Sequence, residues 1–333
     1  MAEQRRKQAK RKKRKLRKGR VFGVLLLVTV LALGGYFYFQ YKAGHNLASN
    51  EKKQQIEFKG DPSINNIENI LLIGIDTRGE EQSRSDTMML MSLNQETNDV
   101  RIVSFMRDIY GHFPGYDVGY KLNTAYYLGG VSLLQQTLNS MFGVTVNHYA
   151  IIDFKNFEQL VDVAAPNGVE VTVPHDMSKN IGVSLKKGTQ RLNGKELLGF
   201  ARFRYDEEGD FGRVERQQQV IEALKDEVLS ASSVKNYPKL IGAIEGYVQT
   251  DLTTSQQVGL MFNAVKGGGI TMDRMTIPLK GTYQYGRYPQ AGSVLDINVD
   301  ANKNYISRFL NGESAETLRK EAEGGVPATP IGQ

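Results

Sequence analysis

From Val21 to Tyr41 the chain carries no charged residue, and the twenty residues before this run hold twelve Lys and Arg against one Glu. As a helix the run spans about 30 Å, at about 1.5 Å per residue, which matches the hydrocarbon core of a bilayer. Backbone polar groups in lipid have to be satisfied internally, so a helix is the state such a run can adopt there. The excess of Lys and Arg assigns its N-terminal side to the cytoplasm, and Tyr36, Phe37, Tyr38, Phe39 and Tyr41 fall where the outer headgroups would lie. A cleaved signal peptide would have an apolar region of about 7–15 residues ending in a small-x-small site. This run is longer and ends in bulky aromatics. It predicts an uncleaved signal anchor over 21–41: a single-pass type II protein of the cell membrane with its bulk outside the cytoplasm.

The basic tail over 1–20 has a net charge of +11 in a chain whose total is +6, so the remainder is acidic by −5. The basic balance therefore belongs to a topology signal that also meets anionic membrane lipid. The tail is short, uniform and without a helix-turn-helix pattern, and no nucleic-acid partner is expected. There is no cysteine, which excludes disulfides, thiolate nucleophiles and thiolate-ligated metals. His45, His112, His148 and His175 show neither i,i+4 nor alternate spacing, so a zinc site of the usual kind is not expected.

Residues 42–66 are polar and aperiodic and read as an extracytoplasmic stalk. Short apolar runs at 69–75, 87–93 and 100–106 predict buried strands, the last two separated by a turn at 94–99. Helical spacing with a glycine stop predicts a helix over 130–143. A strand at 148–153, a helix at 155–163 and a strand at 168–173 continue as strand–helix–strand. Helices are predicted at 195–204, 213–230, 238–247 and 254–266, strands near 274–278 and 294–299, and a closing helix from Ala301. Residues 313–333, rich in Glu, Gly and Pro, read as a flexible tail. The sum is an α/β protein: one three-layer α/β/α domain with a mixed central sheet over 67–312, preceded by one transmembrane helix.

Charged groups at strand ends are the first candidates for chemistry, because ligands of such folds bind at sheet ends. Asp76 follows the first strand, Arg84 and Asp86 open the second, and Arg107 and Asp108 end the third. Paired carboxylates without thiol or imidazole suit a hard cation such as Mg²⁺. Clustered arginines suit phosphate through bidentate hydrogen bonds. A second cluster holds Arg202 and Arg204, then Asp210, Arg213 and Gln217, the last two sharing a helix face at i,i+4. Spacing alone leaves another reading open, in which the arginines form a solvated face and the aspartates are turn or N-cap residues.

Six segments taken together resemble the LytR-CpsA-Psr family, in that family's order. They are Asn69 followed after four residues by Gly-Ile-Asp-Thr-Arg78, then Arg84-Ser-Asp-Thr-Met88, Met106-Arg-Asp108, Lys121-Leu-Asn-Thr-Ala-Tyr126, Ala201-Arg-Phe-Arg204, and Asp210-Phe-Gly-Arg-Val-Glu-Arg-Gln217. The similarity covers about 68–230, and a basic tail with a signal anchor is also the family's topology. Met106 stands where the family often has proline. The resemblance implies a phosphotransferase that moves a glycopolymer, such as wall teichoic acid or capsule, from a polyprenyl-pyrophosphate carrier onto peptidoglycan. It implies Mg²⁺, with Mn²⁺ as an alternative, at Asp76 and Asp86. Pyrophosphate binding falls to Arg84, Arg107, Lys121, Arg202, Arg204, Arg213 and Gln217, and catalytic roles to Arg107, Asp108 and Asp210. The helices at 130–142 and 214–229 are natural walls for a polyprenyl tail. Two alternatives use the same residues: a polyprenyl-pyrophosphate-binding regulator of envelope assembly without turnover, and a lipid pyrophosphatase.

Overall fold

The computed structural model describes residues 18–47, 56–77, 84–230, 233–266 and 269–325. Helix α1 (Lys18–Asn46) leads to three long strands, β1 (Ile67–Ile75), β2 (Ser85–Asn94) and β3 (Asp99–Phe105), and a short hairpin, β4 (Tyr110–His112) and β5 (Gly119–Lys121). Next come α2 (Asn123–Phe142), β6 (His148–Asp153), α3 (Phe154–Ala164) and a second hairpin, β7 (Val169–Val173) and β8 (Gly188–Leu192). Helices α4 (Gly194–Arg202), α5 (Gly209–Leu229) and α6 (Tyr237–Tyr247), the short β9 (Gln249–Thr250), α7 (Thr254–Lys266) and β10 (Thr271–Ile277) follow. A third hairpin, β11 (Tyr283–Tyr288) and β12 (Gly292–Ile297), precedes α8 (Val299–Leu310) and α9 (Ala315–Gly324).

The central sheet has the order β10-β3-β2-β1-β6-β9 and is mixed, with β1–β2 and β2–β3 antiparallel but β1–β6 and β3–β10 parallel. Its middle strands are apolar on both faces because both are covered. Leu71, Ile73, Leu90 and Val103 pack with Leu134, Leu138 and Phe142 of α2 and Phe309 of α8. On the other face Met89 and Ile102 pack with Ile221 of α5 and Leu260 of α7. Gln218, buried on α5, fixes that helix to the sheet by donating to Ser104 Oγ at 2.7 Å and to the Met275 carbonyl at 3.2 Å. The glycine stop at Gly143 takes φ 69 and closes α2, a conformation that costs glycine little. Helix α2 also begins earlier than its periodicity predicts, at Asn123, with a kink at Gly129 and Gly130.

Three expectations are corrected. The strand at 168–173 does not join the central sheet but pairs with β8 in a separate hairpin. Its alternating buried and exposed residues suit one covered face, whereas the central strands are covered on two. Nor do residues 42–66 form a free stalk. Residues 42–46 finish α1, which crosses α6 so closely that a Cβ on Gly44 would lie 2.0 Å from the Lys239 carbonyl, and one on Gly242 2.1 Å from that of Tyr41. Farther on, Asp61 accepts from the Val146 amide at 2.8 Å and Phe58 meets Tyr149 edge-on at 5.0 Å. Residues 48–55 lie outside the described residues.

The third correction concerns the tail: residues 315–324 are helix α9, not part of a flexible segment. Ser314 caps it by accepting from the Thr317 amide at 3.2 Å, Asp273 holds the Ala315 amide at 2.9 Å, and Leu318 is fully buried. The side chains of residues 18–25 and nearly all of the basic tail lie outside the described residues, and among the described residues no helix is long and apolar enough to cross a membrane.

If α9 belongs to the domain's core, Leu318→Ala lowers the unfolding free energy by about 2–5 kcal/mol, the usual range for a buried leucine. Urea unfolding of the purified chain measures this, and an unchanged midpoint would place α9 outside the cooperative unit.

Candidate active site

The site lies at the end of the sheet where β1 and β3 finish and β2 begins. The antiparallel register sets Ile75 opposite Ser85, so Asp76 and Asp86 leave neighbouring strands at the same rim. Arg107 follows β3 after Met106, whose amide donates to the Ile277 carbonyl at 2.9 Å and which is itself buried. Met106 therefore fixes the backbone before Arg107 through packing and one hydrogen bond, without a proline ring.

Arg107 is the hub. Its Nη1 donates to Asp86 Oδ1 at 2.7 Å, its Nη2 lies 3.1 Å from Asp210 Oδ2, and its Nε lies 3.7 Å from Asp108 Oδ2. Burial by itself would lower the Arg107 pKa. Asp210, Asp86 and Asp108 together outweigh it and hold the guanidinium above its ordinary value. Asp210 also reaches Arg213, 3.6 Å away, from the first turn of α5. Arg213 is 6 % exposed, and its Nε has no hydrogen-bond partner among the described residues. Burial first, and then the neighbouring Arg107, lower its pKa, partly offset by Asp210 and Asp86. A buried guanidinium with an unsatisfied N–H is costly unless an anion completes it.

Around these groups is a cavity of about 570 Å³ lined by Asp86, Arg107, Phe154, Asn180, Arg202, Arg204, Tyr205, Arg213 and Gln217. Four arginines face Asp86 as the one carboxylate among the lining residues, so the cavity suits an anion carrying more than one charge. Arg213 and Gln217 enter it from one face of α5, as their spacing predicts. Arg202, at the end of α4, has its guanidinium over the Phe154 ring with 4.6 Å from guanidinium carbon to ring centroid, and its Nη2 is 3.7 Å from Asp76 Oδ2. Lys121, on β5, donates to Asp108 Oδ1 at 2.7 Å, and this pair stands behind Arg107, outside the lining set. Arg84 is exposed, 5.9 Å from the Tyr127 ring, and is also outside that set.

Sequence reasoning missed Phe154, Asn180 and Tyr205, whose side chains meet only when α3, the loop after β7 and the turn after α4 converge. Tyr205 directly follows Arg204, and Asn180 donates to its hydroxyl. The sequence reading also passed over Arg216. This residue is 4 % exposed and donates to Asp206 Oδ2 and to the Phe203 carbonyl, each at 2.7 Å, with its guanidinium over the Phe203 ring at 5.4 Å. It staples the extended segment that carries Arg204 and Tyr205 to α5.

Comparison with known proteins identifies the family. The chain belongs to the LytR_cpsA_psr family, whose profile matches residues 34–304. It is 42% identical over 280 residues to the regulatory protein MsrR of Staphylococcus aureus strain COL, covering 83% of this chain and 85% of MsrR. It is 34% identical over 245 residues to the polyisoprenyl-teichoic acid–peptidoglycan teichoic acid transferase TagU of Enterococcus faecalis, covering 70% of this chain and 78% of TagU. Among solved structures, TagT bound to LI-WTA aligns with a TM-score of 0.57 at 25% identity, over 74% of this chain and 91% of TagT.

Removing the carboxylate from Asp206 leaves the charge of Arg216 buried without its counter-ion, so Asp206→Ala is expected to lower stability by about 3–5 kcal/mol. Chemical denaturation checks this. A loss below about 1 kcal/mol would mean that the Arg216 staple does not hold the segment.

Proposed function

We propose that the chain is a membrane-anchored phosphotransferase that moves a glycopolymer from a polyprenyl-pyrophosphate carrier to peptidoglycan. The observation that carries the reading is the four-arginine cavity, with buried Arg213 offering an N–H that no described protein group accepts. The family membership and the TagU relative support the reaction class. The uncharged run over 21–41 behind the basic tail supports the anchor, which keeps the domain beside a lipid-linked donor.

In the reaction, the acceptor hydroxyl attacks the phosphorus that carries the glycopolymer. The hydroxyl's O–H bond and the bond from that phosphorus to the bridging oxygen both break, and polyprenyl phosphate leaves with the proton taken up on its new terminal oxygen. Phosphoryl transfer asks a protein chiefly for positioning and charge neutralisation. Arg107, Arg202, Arg204 and Arg213 provide planar donors for the pyrophosphate oxygens, Gln217 adds a neutral donor, and exposed Arg84 adds a further positive charge outside the lining set. Asp210 orients Arg107 and Arg213, and Asp108 with Lys121 backs Arg107 from the other side.

Asp76 and Asp86 would hold Mg²⁺, or Mn²⁺ in its place. Two carboxylates at one rim fit that ion, which completes its shell with water and substrate phosphates. Among the described residues no group of three or more His, Cys, Asp or Glu is placed to hold a metal ion. Such an ion would neutralise charge on the phosphates.

The name of MsrR favours a second reading, a regulator that binds the lipid pyrophosphate without turning it over. Product analysis by mass spectrometry decides, using the purified chain, Mg²⁺, a short-chain lipid-pyrophosphate glycan and peptidoglycan fragments. The expected product is a phosphodiester-linked conjugate, which Arg204→Ala and Asp86→Ala each reduce at least about 100-fold while remaining folded. Tight lipid binding without conjugate would establish the regulator, and free phosphorylated glycan alone a pyrophosphatase.

A further inference from the structure

A transferase of this kind has to hold a second substrate against the donor, and on that reading the four arginines of the cavity are taken up by the donor's pyrophosphate. The β11–β12 hairpin has a surface suited to a neutral sugar. Phe211, the residue after Asp210, stacks on Tyr283 with ring centroids 5.2 Å apart and planes 25° from parallel. Tyr283 in turn meets Tyr285 edge-on at 5.9 Å. Tyr285 is 78 % exposed, the most exposed large aromatic ring among the described residues. A contiguous file of rings thus runs from the carboxylate that grips Arg107 and Arg213 out to solvent.

The hairpin is fixed to the site. The Leu295 amide donates to the Asp108 carbonyl at 2.8 Å, and Leu295 is the residue opposite Tyr285 in the register. Beside it, Tyr288 stacks on Tyr110 at 4.0 Å and 10°, Tyr288 donates to Asp296 at 3.2 Å, and Gln290 donates to the Tyr110 hydroxyl at 3.0 Å. Tyr110 pairs across β4–β5 with Lys121, the partner of Asp108. Backbone and side-chain contacts therefore tie both hairpins to Asp108.

We propose that this hairpin is the acceptor subsite, with the Tyr285 ring stacking on a pyranose of the peptidoglycan glycan strand; the proposal rests on the transferase reading. The C–H face of a pyranose packs on an aromatic face, and its hydroxyls need donors and acceptors at the ring's edge. Exposed Arg287, two residues farther along the strand and so on the same face as Tyr285, supplies donors. The placement also favours a glycan over a lipid surface. Helix α1 packs on α6, which leads into β9 at one edge of the sheet, whereas the hairpin is bound to the chain that follows β3, beside the opposite edge strand β10.

The test uses the full chain and a soluble β-1,4-linked N-acetylglucosamine oligosaccharide, titrated by calorimetry. Tyr285→Ala is expected to weaken binding about three- to tenfold, the worth of one stacked ring, while Tyr285→Phe keeps it. In the transfer assay, the alanine variant raises KM for the glycan acceptor, with kcat and the KM for the lipid pyrophosphate held. Equal affinity and equal acceptor KM in wild type and Tyr285→Ala would overturn the subsite. Equal sugar affinity with weakened liposome association would overturn it in favour of a bilayer contact. Sugar binding lost in Tyr285→Ala, together with no transfer by wild type, would keep the subsite and reject the transferase reading.

Discussion

Two guanidinium groups repel each other, and the Asp210 carboxylate makes the approach of Arg107 and Arg213 tolerable. It lies 3.1 Å from one and 3.6 Å from the other. Arg107 is held further by Asp86 and Asp108, and its charge is reinforced. Arg213 is buried beside it with fewer partners, and its charge is disfavoured. The site thus stores positive charge unevenly: one arginine is satisfied by protein and the other is short of an acceptor. A further acceptor, best an anionic oxygen, is the group that such an arrangement lacks.

The scaffold explains why the arrangement persists. Arg107 and Asp86 come from adjacent strands whose register is fixed by cores on both faces of the sheet. Asp210, Arg213 and Gln217 come from α5, which Gln218 ties to β3 and β10. Arg202 and Arg204 come from the end of α4 and the strand-like segment after it, which Arg216 holds against α5. Two clusters distant in sequence, 86–107 and 202–217, thus meet at one rim, each on elements whose own packing fixes them. Preorganisation of this kind lets charge neutralisation act without reorganisation cost.

Much of this was legible in the sequence, because the central strands are short apolar runs bounded by charge and the long helices have clear periodicity. The i,i+4 pair Arg213 and Gln217 does share the cavity face, as spacing predicts. The failures have physical reasons. Strand β8 has Leu192 as its one buried residue, so it lacked an apolar signature, and the β7–β8 pairing was missed with it. Helix α9 is polar except for Ala315, Leu318 and Ala322, too few for composition to separate it from a frayed tail. Asn180 and Tyr205 reach the cavity through tertiary contact alone. Arg216 looks like any surface arginine in a helical run until its carbonyl and carboxylate partners are seen.

The central claim is that Arg107 and Arg213 grip one pyrophosphate together rather than acting as independent surface charges. A double-mutant cycle of affinity for a short-chain polyprenyl pyrophosphate, with Arg107→Met, Arg213→Met and the pair, measures this directly. The account predicts non-additive losses, with a coupling of about 1–3 kcal/mol between the two positions. Losses that add to within about 0.5 kcal/mol would contradict it, because separate charges do not share an anion.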